Sequence, residues 1–212
     1  MTRKQFLRLA AGFRRFRKRY FEPEKSIYKN LQKAQQPKTL VIACSDSRVD
    51  PAIISTAAPG ELFVVRNVAN MVPPFQKPDG HHGVSAAIEF AVNFLKIENI
   101  VILGHEHCGG IQALVQGLDS VESGFLTAWV SMARPALERV KKEFPNSDEA
   151  TVCRKCERES IKNSITNLRT FPFVNKAIKA GQLQIFGAYF ELSTCRIYFV
   201  EDGKENFTPI KL

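Results

Sequence analysis

Two spacings of apolar residues alternate along this chain, and the points where one gives way to the other mark its elements. Short aliphatic runs at 39–43 (T-L-V-I-A), 62–66 (L-F-V-V-R) and 100–103 (I-V-I-L) have the β-branched composition of buried strands. The first is entered past Pro37, and the second follows a turn at Pro59–Gly60. Residues 84–95 change period: Val84, Ala87, Ile88, Ala91, Val92 and Leu95 recur three or four apart, which predicts one buried helical face. A new helix is expected from about Ile111. Residues 184–189 and 196–200 read as later strands, the last as an antiparallel edge. Strands separated by helical segments predict an α/β fold, with a mostly parallel sheet of about four strands plus an antiparallel edge strand, flanked by helices.

A chain of 212 residues is about one domain. No repeat, low-complexity tract or linker divides it, and the polar stretch at 141–156 reads as a loop and helix start. Residues 1–212 are therefore expected to form a single domain, with 1–35 as an N-terminal helical arm. Within the arm, Phe6, Leu9, Phe13, Phe16 and Tyr20 make a second stripe at helical spacing, set among basic residues. Such a helix can pack on a partner subunit, lie on a membrane surface or contact nucleic acid.

Charge separates these possibilities in part. The net charge is +9, but residues 1–20 hold eight cations and no acid, so the rest of the chain is close to neutral. A basic excess confined to one stretch is not a nucleic-acid-binding face spread over a fold, so no nucleic-acid partner is expected. No apolar stretch approaches the roughly 18–20 residues that span a bilayer, so no membrane span is expected. The opening M-T-R-K-Q-F-L-R-L lacks the second arginine and the apolar core of a twin-arginine signal. Five cysteines without a secretory signal point to reduced thiols or metal ligands, and the expected location is cytoplasmic.

The chemistry gathers at two strand ends. Cys44, Asp46 and Arg48 (C-S-D-S-R) follow the first run, and His105 and Cys108 (H-E-H-C) follow the third. In an open parallel sheet such ends lie side by side, where ligands bind. Two thiolates and an imidazole supply three zinc ligands and leave a tetrahedral ion one open position for water. H-x-x-C spans one turn, so His105 and Cys108 can face one ion. His107, adjacent to Cys108, is expected to point elsewhere. Glycines 104, 109 and 110 are expected to let the backbone approach the ion. A carboxylate and a guanidinium two residues apart can position a metal-bound water, so the site reads as hydrolytic or hydrating.

The segments C-S-D-S-R-V, P-G-E-L-F-V-V-R-N-V-A-N and G-H-x-x-C-G-G, in that order, resemble the β-class carbonic anhydrases. The similarity runs from about Leu9 to Val200 and takes in Gln35–Pro37 and C-R-K-C-E-R-E-S-I-K-N-S. It implies a single domain of that family, catalysing the zinc-dependent interconversion of carbon dioxide and bicarbonate through attack of a zinc-bound hydroxide. It also implies homodimers whose N-terminal helices wrap the neighbouring subunit. By resemblance Cys44, His105 and Cys108 hold Zn2+, and Asp46 and Arg48 form the catalytic dyad. Phe63, Val68 and Phe90 line the substrate pocket, to which Gln35 and the Gly109 N–H bring donors. Phe90 stands where plant-type members often carry Tyr, so only an apolar wall is expected of it. Val41 stands where some members carry the Trp of a non-catalytic bicarbonate pocket, so no such switch is expected.

Carbon disulfide or carbonyl sulfide would suit the same zinc site. A non-enzymatic zinc-binding regulator would leave Asp46 and Arg48 without a use. Cys153 and Cys156 form one isolated C-x-x-C, read as structural or merely exposed thiols, and Cys195 is expected to be buried in its strand-like run. His81 and His82 sit in a Gly/Pro-rich loop as mouth or plain loop residues. No residue identifies a proton shuttle.

Overall fold

Among the described residues six strands join in one sheet: β1 (Thr39–Cys44), β2 (Leu62–Asn67), β3 (Asn99–His105), β4 (Gln184–Glu191), β5 (Arg196–Glu201) and β6 (Thr208–Pro209), in the order β2-β1-β3-β4-β5-β6. The first four are parallel, whereas β5 returns antiparallel to β4 and β6 antiparallel to β5. The helices are α1 (Arg3–Tyr20), α2 (Tyr28–Leu31), α3 (Pro51–Ser55), α4 (Gly83–Glu89), α5 (Gly109–Gln116), α6 (Phe125–Val130), α7 (Arg134–Glu143), α8 (Glu149–Leu168) and α9 (Pro172–Lys179). The computed structural model describes residues 2–22, 26–77, 79–117 and 124–210. They form two compact units, Met1–Gln36 and Pro37–Leu212.

In the smaller unit, α1 begins with a capping box in which Thr2 and Gln5 satisfy each other's backbone N–H. Three cations, Arg17, Lys18 and Arg19, close its last turn, where the helix dipole favours them. No residue of α1 is buried, and Phe6, Leu9 and Phe13 are more than half exposed.

In the larger unit, strand alternation sorts two faces. Leu40, Ile42, Ile100, Ile102 and Ile185 point to a core closed by Ile88, Val92, Ile161, Ile165 and Leu168 of the helical layer. Val41, Ala43, Leu103, Ala188 and Phe190 build the opposite face. A parallel sheet needs cover on both sides. Yet on this second face Val64 is 39% exposed, and Val101, Phe186 and Phe199 are only half-buried. A third cluster, around Ala133, Ala136, Leu137, Val140 and Cys156, joins α5, α7 and α8 beyond the carboxyl ends of the strands.

The expected helix at 84–95 is two structures in series. Its apolar face is inside, with Ile88 and Ala91 fully buried. However, the helical hydrogen bonding widens to a π form over Phe90–Leu95 and ends at Lys96 in a left-handed conformation, φ 54°. Phe90 and Phe94 are left 42% and 70% exposed, with their rings stacked 5.6 Å apart.

The strand at 196–200 is flanked by the short β6, which pairs Thr208 with Phe199. Cys195 departs from expectation: it is exposed, because the chain reverses between β4 and β5 and Cys195 takes a left-handed turn conformation, φ 55°. Strand β5 begins only at the next residue, Arg196.

Gly187 in β4 has no room for a side chain, since a Cβ there would lie 2.6 Å from Ile161 Cγ2 and 2.7 Å from Val200 Cγ1. Gly187→Ala is therefore expected to destabilise the fold by about 1–3 kcal/mol, the usual cost of overpacking, read by denaturant unfolding.

Candidate metal centre and its surroundings

Parallel register brings the two chemical clusters together. Residues 39–43 of β1 pair one-to-one with 99–103 of β3, so Cys44 and His105 leave the sheet side by side at its carboxyl end. After His105 the chain is held by Glu106 N–H donating to Phe190 O at 2.9 Å, and it reverses at His107, φ 55°. That reversal returns Cys108 to the cluster as the residue that caps α5. The sulfurs of Cys44 and Cys108 lie 4.0 Å apart, and the donor atoms of Cys44, His105 and Cys108 all fall within 4.8 Å of one another. His107 is exposed and takes no part in that group.

The histidine is set up as a ligand. His105 Nδ1–H donates to the Glu106 carbonyl at 2.8 Å, which leaves the lone pair of Nε2 facing the sulfurs. That nitrogen is buried and has no hydrogen-bond partner among the described residues. An unmet buried polar atom costs about 1–3 kcal/mol, a cost that a cation at this point would remove.

The thiols make the same case. Cys44 is pulled toward ionisation by its hydrogen bond with Cys108, and further by His105 and the N–H groups of Asp46 and Ala69, against the effect of burial. Cys108 is pushed the other way, since it must ionise beside Cys44 and out of water. A divalent cation resolves that conflict by stabilising both thiolates, and two thiolates with an imidazole are donors that suit zinc.

Asp46 sits beside this group with its Oδ2 3.9 Å from His105 Nε2. Arg48 grips it from Nε to Oδ1 at 2.9 Å and from Nη2 to Oδ2 at 2.7 Å, and the Arg48 backbone N–H also donates to Oδ1 at 2.9 Å. The hydrogen bonds from Arg48 hold the Asp46 carboxyl well below the usual carboxylate range. Arg48 Nη2 also reaches the His107 carbonyl at 3.1 Å, tying one chemical cluster to the other.

The remaining site residues divide. Gly109 opens α5 and is exposed, with its N–H among the unpaired first donors of that helix. Val68 lies against the same turn: a Cβ on Gly110 would come within 2.7 Å of Val68 Cγ1. Phe63 and Phe90 are elsewhere in the chain, together, with ring centroids 5.8 Å apart. Phe63 pairs with Leu40, four residues before Cys44, or roughly 13 Å along the strand. Gln35 is exposed in the smaller unit.

Two of the three glycines are required by packing. A Cβ on Gly104 would strike Ile161 Cδ1 at 2.7 Å, Gly110 is closed by Val68, and Gly109 faces open space. Cys153 and Cys156 lie inside α8, Cys156 buried, and burial raises both thiols, Cys156 to about 12. Raised thiols inside a helix are inert, as packing residues are.

Two side chains that sequence reasoning passed over support the centre. Glu157 of α8 is 4% exposed; its Oε1 accepts from the Cys108 N–H at 3.1 Å and its Oε2 from the Tyr189 hydroxyl at 2.8 Å. Its place among Val152, Cys156, Ile161 and Ile165 on the buried side of α8 was the available signal. Trp129 Nε1–H donates to the Val68 carbonyl at 2.8 Å, next to Ala69 and Asn70, both in left-handed conformations (φ 60° and 47°). No local sequence pattern marks that contact.

The family model for carbonic anhydrase matches residues 39–197. Beta carbonic anhydrase 3 of Arabidopsis thaliana is 38% identical over 187 residues, 87% of this chain and 72% of that protein. The mitochondrial beta carbonic anhydrase 6 of the same plant is 40% identical over 187 residues, 87% of this chain and 64% of its own length. Among solved structures, the β-carbonic anhydrase CcaA superposes with a TM-score of 0.89 at 27% identity, covering 99% of this chain and 93% of that one.

The donor geometry sets an expected outcome for metal analysis. The purified chain should carry about one zinc per copy, and Cys108→Ser should lose it. Elemental analysis after gel filtration checks both, and undiminished zinc in the variant would remove Cys108 from the centre.

Proposed function

We propose, from the premise that this chain belongs to the β-class carbonic anhydrases and carries their zinc-dependent hydration of carbon dioxide, that Asp46 and Arg48 are its working dyad beside a zinc held by Cys44, His105 and Cys108. The observation that carries this reading is the bidentate clasp of Arg48 on a carboxylate 3.9 Å from the unpaired His105 nitrogen. A purely structural metal site has no need of such a pair.

Zinc in this position would supply Lewis acidity, lowering the pKa of a bound water toward neutrality. Everything else falls to the chain. An ionised Asp46 can only accept a hydrogen bond, so it selects the protonated side of the attacking oxygen and turns the lone pair toward substrate. With both carboxylate oxygens engaged by Arg48, Asp46 is held off the donor group of Cys44, His105 and Cys108. Arg48 acts by direction more than by charge. Freed from it, Asp46 would rise toward the ordinary carboxylate range and still be ionised at neutral pH.

Substrate is small and apolar and product is an anion, which suits an apolar wall with a few donors. Val68 would suit the wall and the Gly109 N–H the anion, at a helix start where negative charge is welcome. Phe63, Phe90 and Gln35 fit this pocket as contributions from a second copy, because Phe63 and Phe90 of the same chain lie too far along the sheet. The thinly covered sheet face at Val64, Val101, Phe186 and Phe199 and the exposed Phe stripe of α1 support the same reading, a homodimer or higher assembly. All five cysteines are free, which suits a reducing compartment such as the cytoplasm. No helix among the described residues is long and apolar enough to cross a membrane.

Two outcomes are expected. Asp46→Ala and Arg48→Ala should keep their zinc and lose about 100-fold or more in kcat, in the range of a lost proton-handling group, by stopped-flow carbon dioxide hydration. A fully active, zinc-loaded Asp46→Ala would end the dyad assignment. Phe13→Glu should shift the chain toward monomer in light scattering and lower hydration activity in step. An active monomer would place the whole pocket in one chain.

A further inference from the structure

Arg66 of β2 takes no part in the reading above, yet it reaches more of the site's framework than any of the residues assigned to it. From the carboxyl end of its strand it spreads beneath the loop that carries the dyad. Its Nε donates to the Cys44 carbonyl at 3.0 Å, and its Nη2 to the carbonyls of Asp46 at 2.6 Å and Val49 at 3.2 Å. Its Nη1 pairs with Asp50 Oδ2 at 3.0 Å. Asp50 in turn caps α3, accepting the N–H groups of Ala52 and Ile53 through Oδ1. One planar fork thus joins the backbone of a proposed metal ligand, the backbone of the proposed acceptor and the start of the next helix.

The geometry points to Arg66 as a positioning residue for the hydration reaction, holding the loop from Cys44 to Asp50 so that the Asp46 carboxylate keeps its aim. Asp46 is then held twice, its side chain by Arg48 and its main chain by Arg66. Between Cys44 and α3 the loop has few backbone bonds of its own, chiefly Ser45 N–H to Asn67 O at 2.8 Å and Val49 N–H to Asp46 O at 3.1 Å. Arginine suits this task because its fixed fork meets several acceptors in one plane. Lysine, a single point charge on a flexible stem, cannot satisfy them together. A displacement of about 1 Å at a reacting group can cost on the order of 100-fold in rate, so an anchor on the backbone has leverage on catalysis without touching substrate.

The inference rests on the dyad reading, and a double-mutant cycle in the zinc-loaded enzyme separates the two. Arg66→Lys should keep one zinc per chain, lower kcat by about 10- to 100-fold with KM little changed, and add almost nothing to the loss already caused by Asp46→Asn. Hydrogen exchange across residues 44–50 should quicken in the same variant. Additive losses, or zinc loss in proportion to activity, would overturn the assignment. If Arg66→Lys does not fold, Asp50→Asn keeps the cap of α3, weakens the anchor and should show the same non-additivity with Asp46→Asn on a smaller scale. Additivity there overturns it equally. A fully active Asp46→Asn would instead remove the dyad, and the anchoring role with it.

Discussion

The structure turns on a conflict that the chain cannot settle alone: two thiols 4.0 Å apart beside an imidazole nitrogen with no hydrogen-bond partner among the described residues, all out of water. Among the described residues the fold satisfies these groups only in part. The Glu106 carbonyl fixes the imidazole tautomer, backbone N–H groups approach the sulfurs, and Glu157 holds the Cys108 amide from below. These contacts aim three lone-pair donors at one point and leave it without positive charge. A cation completes the arrangement, and its binding energy contributes to folding because the unfolded chain has no such assembled point.

The rest of the larger unit can be understood as the frame that creates this point. Parallel pairing of β1 with β3 makes neighbours of residues about sixty positions apart. The missing side chains at Gly104 and Gly187 let Ile161 of α8 press against the sheet, and α8 is the helix that delivers Glu157. Packing and chemistry therefore share one helix, and a change at Ile161 would be felt at Cys108 through Glu157.

What the sequence disclosed follows from how local each signal is. Cys44, His105 and Cys108 were legible because a strand end followed at once by a metal-binding residue is a short pattern, and parallel pairing does the remaining work. Asp46 and Arg48 were legible because they share one loop. Arg66 and Glu157 were not, since their partners lie some 20 to 50 residues away and are acquired only through tertiary packing. The π turn at Phe90–Leu95 escaped for another reason: apolar spacing reports which side of a helix is buried, not which carbonyl each N–H selects. Cys195 was misplaced because strand composition carried across a hairpin that one left-handed residue makes.

Trp129 gives the molecule a built-in optical gauge. It is the only tryptophan in the chain, and its indole N–H is committed to the Val68 carbonyl beside the left-handed pair Ala69 and Asn70. Emission excited selectively at the indole band therefore arises from one spot, a single hydrogen bond away from the turn whose amide touches the Cys44 sulfur. Loading, emptying or loosening of the centre can be followed by the colour of that light, with no label attached.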